Sequence, residues 1–151
     1  SKANIYHYYG SKDALLFDIL DSYLKALRDR LAGLELAGMT PSEQLLRFAS
    51  ETLFAYEGMD AEHKIQTEGI GVLGEEQQAI LKGYQRDMVQ QLSGILAACA
   101  PELADDRTRL RGVTMSVFGM LNWFYMWNSG AGTAEREEYA ELVSGLVLGG
   151  V

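Results

Sequence analysis

Ser1-Lys2-Ala3-Asn4-Ile5-Tyr6-His7-Tyr8-Tyr9-Gly10-Ser11-Lys12-Asp13 decides how the rest of the chain is read. Residues 1 to 9 can make two helical turns, with Ile5 and Tyr9, four apart, on the inner face. Lys2, Asn4, Tyr6 and His7 then point mostly outward. Gly10 ends that helix, and Ser11 is placed to cap a new one with Asp13 in its first turn. So many hydrogen-bonding tips on so little apolar surface suit a helix that lies in a groove of DNA rather than one that is buried.

Continued through Ala14-Leu15-Leu16, the stretch resembles the end of the helix-turn-helix of TetR-type transcriptional repressors. That pattern is a small residue, an aliphatic-Tyr-x-(His/Tyr)-Phe segment, a turn, (Ser/Thr)-Lys-(Glu/Asp) and a Leu-rich helix. Tyr9 stands where Phe is usual, and Ala3 where Gly is common. The resemblance implies a recognition helix in the major groove of a near-palindromic, double-stranded operator. Lys2, Ala3 and Asn4 would face bases, and Ser1, Tyr6, His7 and Lys12 would contact phosphates. It also implies that the two helices before the recognition helix lie outside these 151 residues, which begin without Met and are expected to be a piece of a longer chain.

Downstream, the apolar positions recur every three or four residues with little strand-like alternation, so the fold class is all-α. The expected division is a truncated helix-turn-helix with its linking helix over 1–30, then a helical ligand-binding and dimerisation domain over 31–151. Leu16, Ile19, Leu20, Tyr23, Leu24, Leu27 and Leu31 mark the linking helix, which decays at Gly33 and Gly38. Thr40-Pro41-Ser42-Glu43 is a helix start with a capping box; that helix frays at Glu57-Gly58. A short helix spans about 61–67, and Gly69, Gly71 and Gly74 read as a loop. Glu75 opens a third long helix that Pro101 ends. Asp105 is the expected cap of the next, which runs to about Asn128 and is apolar nearly all round. Thr133 is the expected cap of the last.

A net charge of −8 and a pI near 4.7 argue against DNA binding by this stretch alone; more basic residues are expected in the preceding segment. One cysteine, Cys99, excludes an intrachain disulfide and fits a reducing cytoplasm. The apolar run from Met115 to Trp127 is interrupted by Ser116, Gly119 and Asn122 and is too short to span a bilayer, so no membrane association is expected.

Phe48, Tyr56, Tyr84, Met88, Met115, Phe118, Met120, Trp123, Phe124 and Trp127, with Thr52 beside them, are the candidate lining of a ligand cavity. Aromatic rings and adaptable Met side chains suit a small hydrophobic effector. Phe118 to Trp127, with His63-Lys64 upstream, resembles TetR relatives that sense acyl-CoA thioesters. Such an effector would need cations for its phosphates, and Arg47, Lys64, Lys82 and Arg86 are the candidates.

The last two helices carry more apolar surface than a short chain hides. Val113, Val117, Leu121, Tyr139, Leu142, Val143, Leu146 and Val147 are the candidate homodimer interface, two helices per subunit forming a four-helix bundle; TetR-like proteins usually dimerise this way. No enzyme, cofactor or metal site is expected. His7 and His63 lack ligand spacing, Cys99 sits on an apolar face, and Gly69-Ile70-Gly71-Val72-Leu73-Gly74 follows no strand. The competing reading is a helical dimerisation or scaffold module with a solid core and no ligand.

Overall fold

The computed structural model describes residues 11–151, and these form six α-helices with no strand among them. In chain order they are α1 (Lys12–Ala32), α2 (Pro41–Tyr56), α3 (Asp60–Gly69), α4 (Glu75–Cys99), α5 (Arg107–Trp127) and α6 (Thr133–Gly150). Short 3-10 turns, Ile70–Val72 and Pro101–Asp105, precede α4 and α5.

Local chemistry sets most of the boundaries. The Ser11 hydroxyl accepts from the Ala14 amide, and Asp13 sits in the first turn of α1. The reciprocal capping box at Thr40 is present: its hydroxyl accepts from the Glu43 amide, and the Glu43 carboxylate accepts from the Thr40 amide. Gly58, at φ +77°, turns the chain out of α2, a conformation that L side chains rarely adopt.

Three expected boundaries differ. Asp106, not Asp105, caps α5, because only the residue directly before the helix can reach the Arg109 amide. Gly132 occupies the cap of α6; Thr133 is already helical, and its hydroxyl bonds Glu57 instead. The glycine stretch expected as a loop is largely helical, α3 continuing to Gly69 and the 3-10 turn following directly.

α2 packs chiefly on α6, α1 on α4, and α5 lies between α4 and α6. One apolar core joins them, from Leu20, Leu24 and Leu31 of α1 through Leu53 and Leu92 to Val117 and Val143. The long helix that follows the N-terminal motif is therefore part of the same core as the helices behind it. No described helix is long and apolar enough to cross a membrane.

Candidate functional site

α1, α2, α3 and α5 meet at a buried imidazole. His63 of α3 is 2% exposed. Its Nε2 lies 3.0 Å from the Asn122 main-chain oxygen, and its Nδ1 lies 3.0 Å from the Tyr23 hydroxyl. A carbonyl only accepts, so Nε2 carries the proton and Nδ1 accepts from Tyr23. The Tyr56 hydroxyl donates to Asn122 Oδ1 at 2.6 Å, and the Tyr56 and Tyr125 rings pack on the imidazole at 4.6 and 4.9 Å between centroids. Burial holds the His63 pKa below its ordinary value, partly offset by the Asn122 carbonyl bond and by Asp60. Burial likewise pushes the Tyr23 and Tyr56 hydroxyls up, so the network is neutral.

A cavity of about 190 Å³ opens beside this network. Leu24, Leu27, Met88, Val89, Met115 and Phe118 give it apolar walls, and Tyr56, Gln66, Gln85 and Asn122 bring polar groups. No charged side chain lines it. Gln66, Gln85 and Asn122 also border an adjoining, more open cleft of about 470 Å³ that reaches Trp123 and Tyr125. An apolar chamber with a carboxamide-lined mouth is suited to a small ligand with an uncharged polar group next to a hydrocarbon part.

The C-terminal domain family of tetracyclin repressor-like proteins matches residues 38–151. The chain belongs to the TetR family of transcriptional regulators. The described helices after α1 are thus the ligand-binding domain of a TetR-family regulator, a family of regulators and not of enzymes. A TetR-family transcriptional regulator from Bordetella parapertussis superposes with a TM-score of 0.88 at 29% identity, over 98% of this chain and 77% of that one. PfmR from Thermus thermophilus, also of the TetR family, superposes at 0.80 and 26% identity, over 98% and 81%. AibR, solved with isovaleryl coenzyme A and operator DNA, shares the fold at 0.75 and 20% identity, over 97% and 80%. Comparison with functionally curated proteins gives no match.

The residues expected at the ligand divide into groups. Tyr56, Met88, Met115 and Phe118 line the chamber, and Trp123 borders the outer cleft. Phe48 is fully buried behind Phe118, edge-on at 6.0 Å, and the Thr52 hydroxyl is used up on the Phe48 carbonyl of its own helix. Tyr84 faces the other way: its hydroxyl donates to Asp21 on α1, and the Arg28 guanidinium lies over its ring. Phe124 and Trp127 pack with Tyr139 on the α6 side of α5, away from the chamber. Met120 is a half-buried core neighbour that lines neither opening.

Among the proposed cations, Arg47 is paired with Glu51; Lys64 and Lys82 are exposed. Arg86 lines a separate groove between α4 and α5.

Val117, Leu121, Val143 and Val147, expected at a subunit interface, are buried within the chain itself. The helical repeat places them on inner faces, although Val147, 8% exposed, also borders an open groove between α5 and α6 together with Val113 and Leu146. Leu142 and Leu146 are exposed, at 55% and 60%; Val113 and Tyr139 are half-buried. Ser1, Lys2, Ala3, Asn4, Tyr6 and His7 lie outside the described residues. Lys12 is exposed in the first turn of α1.

The sequence reading missed Tyr23, His63 and Asn122 as one network. Tyr23 and His63 are 40 residues apart, and His63 and Asn122 are 59 apart. Only their shared inward helical position hints at it.

Proposed function

We propose that this TetR-family regulator is a cytoplasmic, homodimeric repressor, released from a near-palindromic operator by a small hydrophobic effector, a short acyl-CoA thioester. The carrying observation is that the chamber shares Tyr56 and Asn122 with the network that ends on Tyr23 of α1. α1 follows directly on the motif that resembles a recognition helix. At about 190 Å³ the chamber is below the roughly 300–1,000 Å³ of drug-sized sites, which favours a short acyl group over a long one. The Asn122 side-chain amide and the Gln66 and Gln85 carboxamides supply donors for a thioester carbonyl. Isovaleryl coenzyme A in AibR lends the ligand class indirect support.

In this mechanism the ligand reorders Asn122 and Tyr56, His63 shifts with them, and α1 pivots through Tyr23. The two recognition helices of the dimer then no longer match their half-sites. The exposed Leu142 and Leu146 of α6, with Val113 and Tyr139 beside them, are the residues of the expected set that can still meet a second subunit. Ligand and DNA prefer different states, so each weakens the other's binding by the same factor.

Fluorescence anisotropy of the intact protein on DNA from upstream of its own gene tests this. Tight binding released by butyryl-CoA is expected; tight binding that no thioester disturbs would contradict the effector. Lys12→Ala is expected to weaken binding to all sequences alike and to reduce the salt dependence. A changed sequence preference at unchanged salt dependence would overturn its role as a phosphate contact.

A further inference from the structure

α1 is held mainly from one flank. Its Asp21 accepts from the Tyr84 hydroxyl and its Arg28 donates to Asp87, both on α4. On the opposite flank a cleft of about 390 Å³ lies between α1 and the corner where α2 passes into α3. That volume falls within the roughly 300–1,000 Å³ of drug-sized sites. Ile19, Ala26 and Leu27 of α1 line it together with Ala55 and Met59 of the corner. The result is an apolar slot in which the flexible Met59 can adapt to the shape of a ligand.

Two charged side chains also line the slot, and they are in different states. Arg30 places Nε and Nη2 on one Glu51 oxygen, at 3.2 and 3.0 Å, so its charge is already matched. Glu62 stands away from it. It precedes His63, which bonds Tyr23, whereas Arg30 lies two turns further along α1, about 10 Å at 1.5 Å per residue. Glu62 is half-buried and has no hydrogen bond or ion pair among the described residues. Lys64, two residues on, projects from another side of α3 and is exposed. Burial first, then Tyr56, Glu62 and Asp60, hold the Tyr23 hydroxyl above its ordinary pKa, so the field of these carboxylates reaches the wall of the slot.

We propose that this cleft is a second ligand site, for a hydrophobic cation: a small amine whose apolar body lies among Ala26, Leu27, Ala55 and Met59 and whose ammonium group meets Glu62. An ion pair with a half-buried carboxylate is screened less than one at an open surface. The site is separate from the chamber. Leu27, which is buried, is the one residue that lines both. The amine site stands independently of the acyl-CoA reading, although its wall includes Tyr23, the α1 end of the His63 network.

Isothermal titration of the intact protein with hexylamine, hexanol and hexanoate tests the assignment, because the three share one apolar body and differ in charge. The wild type is expected to bind hexylamine about tenfold more tightly than either of the others, with an affinity that falls as salt rises. Glu62→Gln is expected to remove that preference at a urea midpoint close to that of the wild type. Ala26→Phe, at an exposed position of α1, is expected to fill the slot and abolish hexylamine binding. Met115→Trp, at the chamber wall, is expected to leave it unchanged. Absence of hexylamine binding, equal affinity for the three probes, tighter binding of hexanoate, or an amine preference that survives Glu62→Gln would each overturn the assignment. Hexylamine binding that Met115→Trp removes and Ala26→Phe spares would also overturn it, by placing the amine in the chamber. None of these results bears on release of operator DNA by butyryl-CoA, so the acyl-CoA reading stands or falls separately.

Discussion

The two long sides of α5 are built on opposite principles. Toward α2 and α6, Val117, Leu121 and Phe124 join Val143, Ala140 and Leu53 in a closed apolar seam, which opens to a surface groove toward the start of α5 and the end of α6. Its buried cation, Arg136, has fixed partners: Nε donates to the Ala131 carbonyl, Nη1 donates to the Leu53 carbonyl, and the guanidinium lies 5.3 Å from the Phe124 ring centroid. Leu53 lies in the last turn of α2, where carbonyls lack helical partners and a cation is favoured. Toward α4, the same helix borders the chamber and the groove of Arg86, and its polar groups, Asn122 above all, belong to a network reaching α1. One side fixes the helix in place. The other leaves room for a ligand and has something to move.

The largest expected effect breaks the closed side. Arg136→Met leaves the Ala131 and Leu53 carbonyls without their buried donor and is expected to cost about 3 kcal/mol, read as a lower urea midpoint. Affinity for butyryl-CoA under native conditions should barely change; a large loss would mean the two sides are not independent.

A matched pair of truncations sharpens the contrast. Leu121→Ala opens a hole in a sealed region and is expected to cost about 3 kcal/mol. Met88→Ala only enlarges an existing space, should cost about 2 kcal/mol, the low end for such a truncation, and should shift the preferred thioester toward longer acyl chains. Equal costs with no shift in preference would remove the distinction.

The smallest stability effect falls on the network. Tyr23→Phe leaves His63 Nδ1 without its donor, at about 1 kcal/mol, yet should reduce the release of operator DNA by effector more than it reduces effector affinity. The same network carries a pH signature. Burial lowers the native His63 pKa, so below about pH 6.5, the ordinary imidazole value, the unfolded state takes up a proton that the native state refuses. Stability from this group is therefore whole above that pH and is lost as pH falls toward the depressed native value. Tyr23, Tyr56 and Tyr125 face the imidazole, and Asp60 is the nearby carboxylate that opposes the loss. Urea midpoints measured from pH 7.5 to 5.5 should fall less steeply in His63→Gln than in the wild type.

Much of the fold was legible because its signals are local. The Thr40 capping box, Pro41 and the Ser11 cap announce helix starts within four residues of chain, and the leucine repeat of α1 announces a buried face. Boundaries slipped by one residue at Asp106, where two adjacent aspartates could each serve as a cap, and at Thr133, where a glycine without a capping side chain holds the position and the hydroxyl residue after it reads as the better cap. Which face of α5 met what was harder to read. A helix apolar all round offers no pattern to separate core from cavity or surface, so Trp123 and Trp127, 60% and 56% exposed, read like Phe124, which is buried. Arg136 sits in the charged run Glu135-Arg136-Glu137-Glu138 and reads as solvated, although its spacing to Ala140, Val143 and Val147 puts it on the inner stripe. Tyr23, His63 and Asn122 come from three helices, and only the packed structure brings them together.

Amide hydrogen exchange of the intact protein, with and without saturating butyryl-CoA, tests the two-sided account most directly. Slower exchange is expected in segments 85–93 and 107–122, which flank the α4–α5 seam, and altered exchange around Tyr23 in α1, with no change in segments 48–54 and 140–147 of the closed seam. Protection centred on the closed seam, or a bound ligand that leaves 85–93 and 107–122 unprotected, would contradict it.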